Sequence, residues 1–430
     1  MYITGWTVAL VAVGTIPAAW AQDRTFAWLW LLGALALAGL DALLAPRPRV
    51  LGVRRTVPGS VRLTERTATT LDVVNTGGRR VRATVRDAWQ PSAGASANRH
   101  RVALRAGDSV RLSTPMLPTR RGDRDADLVT IRTTGPFRLA GRQRSLEAPA
   151  TLRVLPEFAS RKHLPSRLAR LREIDGQTAV QLKGAGSEFD SLREYVIGDD
   201  VRSIDWRASA RRADVMVKTY RPERDRRVMI VLDTSRLSAA RVGDAPRLDA
   251  SIEGTLLLTA LATKAGDRVQ VSAFDRVERA RALGTGGPAV MPALANALAT
   301  AEPALVEPDW PAIARLVQSR LSQRALVVLL TTLDPSAVDG GLLDTVAAIS
   351  AKHAVVVASV DDPELAALEA GRDDAHDYYA AAAAARTAVE SDAIAARVRE
   401  LGAEVLTALP DDLAPALADR YLALKASGRL

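Results

Sequence analysis

Three carboxylates, Asp199, Asp200 and Asp205, fall within seven residues of a stretch that also carries Arg202, Arg207, Arg211 and Arg212. Oxygen donors so close in sequence could hold a divalent ion and assist a hydrolysis. The arginines between them offer neutralisation by ion pairing instead, so a polar network or protein-docking surface is the favoured reading. A metal-assisted hydrolase using Asp199, Asp200 and Asp205 is the alternative. Residues 202–227 hold nine basic and four acidic side chains, and with Trp206 they could grip phosphates as a membrane-tethered nucleic-acid binder would, but the interspersed carboxylates would repel them.

A second set of oxygen donors follows an apolar run. Residues 228–232 lead straight into Asp233-Thr234-Ser235-Arg236-Leu237-Ser238. Further β-prone runs at 269–274, 325–330, 354–360 and 404–406 alternate with alanine-rich helical segments such as 248–264 and 289–299. This alternation argues for a parallel sheet with helices on both faces, in which ligands bind beyond the carboxyl ends of the strands. Asp233 and Ser235 would stand at that edge.

Composition removes other chemistries. The 430 residues include no cysteine and four histidines, which excludes disulfides, a thiolate nucleophile, iron–sulfur clusters and cysteine-ligated zinc. No phosphate-loop, serine-elbow, paired-histidine zinc or dinucleotide motif occurs, and Gly284-Thr285-Gly286-Gly287 lacks the lysine of a phosphate cradle. No enzymatic activity is expected.

The elements that must carry these residues differ along the chain. Residues 2–21 are uncharged and 25–44 contain only Asp41, so each stretch approaches the roughly 20 residues needed to span a bilayer. Gln22, Asp23 and Arg24 would join them as a hairpin, with Trp6, Trp20, Trp28 and Trp30 suited to membrane interfaces. Arg47, Arg49, Arg54 and Arg55 follow, placing the remainder of the chain in the cytoplasm by the positive-inside rule. Ala19-Trp20-Ala21 resembles a cleavage site, but no basic segment precedes it. Asp41, one turn from the basic end, is expected to be an interfacial carboxylate reaching water. From about residue 50 to 156, short alternating runs broken by Gly, Pro and Asn predict a small β-sandwich acting as a spacer or docking module. Ser187 with Asp190 three residues on, and Gly198 beyond, predict a helix with Phe189, Leu192, Tyr195 and Val196 on one face.

Gly186-Ser187-Glu188-Phe189, Leu192-Arg193-Glu194-Tyr195, Gly198-Asp199-Asp200, Arg202, Ile204-Asp205-Trp206, Ala210-Arg211 and Glu223-Arg224 together resemble the signature of domain of unknown function family 58. The order of segments resembles that family across the chain: a transmembrane hairpin over 1–46, a β-sandwich-like domain over 50–156, a linker and signature segment over 157–225, and an α/β domain over 226–430. The resemblance implies a von Willebrand A-like, Rossmann-like parallel sheet in the last of these and association with a MoxR-type AAA+ ATPase. It supplies no biochemical activity. Von Willebrand A domains carry an Asp-x-Ser-x-Ser metal-ion-dependent adhesion site. Here Asp233 and Ser235 match, Leu237 stands at the third position, and Ser238 comes one residue late. The resemblance offers Asp334 as the distal acidic ligand, Thr285 as the threonine, and Mg²⁺ as the cofactor of an incomplete site. The expected function is that of a two-pass protein of the cytoplasmic (inner) membrane, a protein-binding adaptor working with the ATPase in assembly or maturation of a complex.

Overall fold

An uncharged N-terminal segment has few side chains able to compete for its own backbone groups, and it satisfies them internally as helix. The computed structural model describes residues 1–430 except 22–23, 182–187, 213, 222–225, 285–286 and 372. The chain divides into two compact units, Met1–Glu157 and Phe158–Leu430.

In the first unit, α1 (Gly5–Ala21) and α2 (Arg24–Leu44) are 17 and 21 residues long. Among the described residues α2 alone is long and apolar enough to cross a membrane, while α1 is shorter and contains Pro17. Trp30 Nε1 donates to the Leu10 carbonyl at 3.1 Å, tying the helices together. Gln22 and Asp23 of the expected link lie outside the described residues.

The β-rich part contains β1 (Tyr2–Ile3), β2 (Leu51–Thr56), β3 (Ser60–Arg62), β4 (Thr67–Asn75), β5 (Val81–Asp87), β6 (Arg99–Leu104), β7 (Ser109–Met116), β8 (Gly122–Thr134) and β9 (Ala140–Leu155). One sheet runs β2-β4-β7; the other runs β1-β9-β8-β5-β6, with β3 beside β9. Alternate residues of β4 and β5 are buried, and Leu71 and Val73 from one sheet meet Val81, Val85, Val129 and Ile131 from the other in one core.

Asp41 corrects an expectation. It does not reach water: it is fully buried, and its carboxylate accepts backbone N–H groups of Phe137 and Leu139 at 2.8 Å and of Ala140 at 2.9 Å. The turn between β8 and β9 offers amides pointing away from the ladder, and burial requires that each find an acceptor. Gly135 makes room, since a Cβ there would lie 2.2 Å from Asp41 Oδ1.

The second unit opens with α3 (Leu164–Gln181), followed by a ribbon of β10 (Glu188–Glu194) and β11 (Met216–Arg221) around α4 (Trp206–Arg212). The helix expected after Ser187 is therefore a strand: Glu188 pairs with Arg221 and Glu194 with Met216, antiparallel. Phe189, Leu192 and Tyr195 follow a helical spacing, but over so short a run pairing with the partner strand overrides it.

Six strands make the main sheet: β12 (Arg227–Asp233), β15 (Arg268–Phe274), β16 (Glu278–Gly284), β17 (Leu326–Leu330), β18 (Ala354–Val360) and β19 (Glu404–Ala408), with a separate short ladder of β13 (Arg241–Val242) and β14 (Ala245–Pro246) between β12 and β15 in sequence. Their spatial order is β16-β15-β12-β17-β18-β19, all parallel except β16, which is antiparallel to β15. β16 escapes a sequence reading because its alternation sets arginines against alanines too small to signal burial.

The connections are α5 (Arg236–Ala239), α6 (Arg247–Lys264), α7 (Val290–Ala299), α8 (Trp310–Arg320), α9 (Pro335–Asp339), α10 (Leu342–Ser350), α11 (Pro363–Ala370), α12 (Ala375–Glu400) and α13 (Pro410–Ala426). Met229, Val231, Val327, Val355 and Val357 pack with Trp310, Val346, Ile394 and Val398, which puts α8, α10 and α12 on one face. Helices α6 and α13 pack together and against the sheet strands, and Leu256, Leu257, Leu261, Leu413 and Leu417 of these helices are buried.

Candidate functional site

Strand β12 delivers Asp233 to the carboxyl edge of the sheet, as expected, but the residue faces inward at 2% exposure. Its Oδ1 accepts the Ser235 N–H at 2.7 Å, and its Oδ2 accepts the Thr331 hydroxyl at 2.7 Å. Burial pushes the Asp233 carboxyl above its ordinary value, with nearby Asp275 adding to the rise and the Ser235 and Thr331 hydrogen bonds opposing it. Ser235 Oγ in turn caps α5 by accepting the Leu237 N–H at 3.3 Å.

Asp275, just past β15, is also fully buried. Burial alone would raise its carboxyl, but Arg279 at 2.7 Å and the Arg276 and Val277 amides outweigh this and hold it below the ordinary value. Asp334 caps α9, its Oδ1 accepting the Ser336 N–H at 2.9 Å and the Ser336 hydroxyl. Positive charge at this edge comes from the chain itself: Arg247 Nη1 donates to Thr332 Oγ1 at 3.1 Å and to the Leu237 carbonyl at 3.4 Å. Desolvation lowers the Arg247 pKa, against the pull of Asp362, Asp334 and Asp361.

These donors do not fit Mg²⁺, which needs six oxygens in near-octahedral array. Asp233 and Asp334 are committed to internal hydrogen bonds, Leu237 puts a buried apolar side chain at the third position, and Thr285 lies outside the described residues. Among the described residues no group of three or more His, Asp or Glu side chains converges as a metal site. Sequence reasoning missed Thr331, Asp275 and Arg247. Thr331 and Asp275 directly follow strand ends, the signal that found Asp233; Arg247 begins a helix and carries no local signal.

The ribbon spends its carboxylates separately. Arg193 grips Asp199 with Nη1 on Oδ2 at 2.6 Å and Nη2 on Oδ1 at 2.5 Å, and Asp199 Oδ2 also accepts the Val196 N–H at 2.9 Å. The Arg193 guanidinium, with that amide, holds the Asp199 carboxyl down to about 2. Asp200 Oδ1 accepts the Arg202 N–H at 2.9 Å. Asp205 caps α4 through the Arg207 and Ala208 amides, both at 3.0 Å, and meets Lys218 Nζ at 3.2 Å. The amide and the Lys218 contacts lower its carboxyl below the ordinary value. The three acids of the hydrolase alternative are thus not brought together around a shared ligand.

These braces fix two turns. Gly198 takes φ +108°, a conformation that favours glycine, and Asp205 N–H donates to the Met216 carbonyl at 2.8 Å. Tyr195 is half-buried, Arg202 and Arg211 are exposed, and Val196, Ile197, Val201 and Trp206 stand out into solvent, Ile197 at 96% exposure and Trp206 at 67%. Glu188 and Phe189 lie in β10, while Glu223 and Arg224 lie outside the described residues.

Residues 191–400 match the model of the family described as Protein of unknown function DUF58. The uncharacterized protein YeaD of Bacillus subtilis (strain 168) is 25% identical over 149 residues, 35% of this chain and 37% of the relative, so the match spans little more than a third of that protein. Two solved structures are similar to part of the chain: the CARDB domain of PF1109 from Pyrococcus furiosus (18% identity, 24% of this chain, 94% of that one, TM-score 0.20) and PapD-like domain 7 of human CEP192 (14% identity, 26% of this chain, 89% of that one, TM-score 0.17). The matched stretch holds most of the ribbon and the sheet edge built around Asp233, so it is this part of the chain, residues 191–400, that is similar to the family described as Protein of unknown function DUF58.

Proposed function

We propose that this chain is a membrane-anchored adaptor that binds a partner protein through the exposed ridge of the β10–β11 ribbon. The observation that carries the reading is the ridge: Val196 and Ile197 on the turn after β10, Val201 beyond it and Trp206 at the start of α4 are all exposed, on a segment held by the Arg193–Asp199 and Asp205 contacts. Apolar side chains gathered on a braced element suit protein association, and a buried tryptophan is a frequent anchor of such interfaces. A von Willebrand A-like reading of the second unit is supported by the parallel strand order and by Asp233 and Ser235 at the carboxyl edge. The partner class we favour is a MoxR-type AAA+ ATPase, met at the cytoplasmic face of the inner membrane, with α1 and α2 as a two-pass hairpin. Support for that orientation comes from Arg47, Arg49, Arg54 and Arg55 after α2. In this reading the contact needs no metal, which is supported by the internal hydrogen bonds that engage Asp233 and Asp334.

The test is affinity capture from detergent-solubilised native membranes, with captured proteins identified by mass spectrometry. Wild type is expected to retain an AAA+ ATPase with or without chelator, and Ile197→Asp with Trp206→Ala to lose most of it at an unchanged melting temperature. Equal recovery by the double variant would remove the ridge as the docking site.

A further inference from the structure

We infer that the helix-side end of the β-rich unit is a docking surface for anionic phospholipid headgroups. The inference rests on the reading that the helices lie in a bilayer, and it adds a recognition surface outside the family-matched domain.

Several contacts set this end of the sheets level with the helix ends. Asp41 holds the 135–140 turn through the three amides described above. Arg142 donates to the Ala42 and Leu43 carbonyls of α2, each at 3.0 Å. At the start of α1, Thr4 Oγ1 donates to the Leu139 carbonyl at 2.9 Å, and Tyr2 of β1 pairs with Gly141 of β9. Strand register brings other segments to the same level. Ala83 is opposite Thr133, Val81 opposite Leu104, and Leu51 opposite Asn75, so residues 47–50, 76–80 and 105–108 emerge beside the 135–140 turn.

Those segments are basic. Arg47, Arg49, Arg79, Arg80, Arg105 and Arg138 are all exposed, and none is in an ion pair among the described residues. The acidic residue among them is Asp108, whose Oδ2 is occupied by the Arg105 N–H at 2.9 Å. Two aromatic side chains stand at the same level, Trp6 at 67% exposure in the first turn of α1 and Phe137 at 55% on the turn. Arginines around the exit of apolar helices meet the negative potential of an anionic leaflet, and exposed aromatic rings suit the headgroup zone. A polynucleotide would find the same charge, but nothing there would use Trp6 and Phe137 where the helices leave. Charge and aromatic placement together favour lipid.

Because the chain has no cysteine, Ala106→Cys carries an environment-sensitive fluorophore without background. The full chain is reconstituted in bilayers of phosphatidylcholine with or without phosphatidylglycerol, each containing a headgroup-spin-labelled lipid. Quenching at position 106 is expected to be about twofold or more stronger with phosphatidylglycerol. The gain should vanish in Arg79→Glu/Arg80→Glu/Arg105→Glu and persist in the matching Lys variant. Equal quenching in the two membranes, or a gain that survives the charge reversal, would overturn the proposal. Carbonate extraction of the same vesicles separates the two ideas. A chain released by carbonate removes the anchoring reading and the lipid surface with it, whereas a chain that stays embedded without lipid dependence removes the lipid surface alone.

Discussion

Arg193 and Asp199 clasp each other side by side across the turn that ends β10, through contacts of 2.6 and 2.5 Å. Planar, bidentate pairing of this kind fixes direction as well as distance. Its consequence is the outward stance of Val196 and Ile197, the residues the proposed ridge needs.

The clasp has a pH signature. The Asp199 carboxyl is held down to about 2 from an ordinary 3.8, so its contribution to the folded turn is complete above 3.8 and is lost as pH falls through about 2. A carboxyl titration followed by NMR should give a midpoint near 2, and Arg193→Lys should move it toward the ordinary value. The pair is open to solvent, so the global melting temperature should hardly change. A wild-type midpoint at the ordinary value would contradict the clasp.

Asp233 behaves oppositely. Its carboxyl is raised by burial, so the native state keeps the proton to higher pH than the unfolded chain does. The cost of burying the charge is absent below the ordinary Asp value and grows as pH rises above it, so this residue makes stability fall with pH. Asp233→Asn should flatten that slope in urea unfolding measured across pH. Asp233→Ala orphans the Thr331 hydroxyl and the Ser235 N–H and should cost about 2–4 kcal/mol. An alanine variant as stable as wild type would show that these bonds do not matter.

Asp41 joins α2 to the 135–140 turn, and Asp41→Ala leaves the buried Leu139 and Ala140 amides and the part-buried Phe137 amide without this acceptor. The expected loss is about 3–5 kcal/mol of local stability. Hydrogen exchange should show it as faster exchange at Phe137, Leu139 and Ala140, with Asp41→Asn intermediate because one oxygen remains. Unchanged protection at these amides would count against the clamp.

Saturating Mg²⁺ should leave the melting temperature unmoved, as should a chelator. A ligand that binds only the native state raises stability by mass action, so an upward shift of several degrees with Mg²⁺ would reinstate the sheet-edge metal site.

What could be read locally came from signals complete within a few residues. The apolar length of α2 needs no partner to declare itself. The buried runs of β12, β15, β17 and β18, separated by helical segments, announce a covered sheet, and a polar residue after a strand end locates Asp233 at its edge. Asp199 beside arginines already suggests an ion pair.

Other features depended on residues far along the chain. Residues 188–194 suit helix or strand on their own, and pairing with Met216–Arg221 settles the choice. Asp41 looks like a carboxylate seeking water until amides 96 to 99 residues later supply its hydrogen bonds. Asp233 resembles a metal ligand until Thr331, 98 residues away, takes one of its oxygens. Local propensity and periodicity choose an element when its own residues can satisfy its backbone and cover its apolar face. A buried carboxylate or a single short strand cannot do either alone, so its role is decided by whatever donor or neighbouring strand the tertiary fold brings to it.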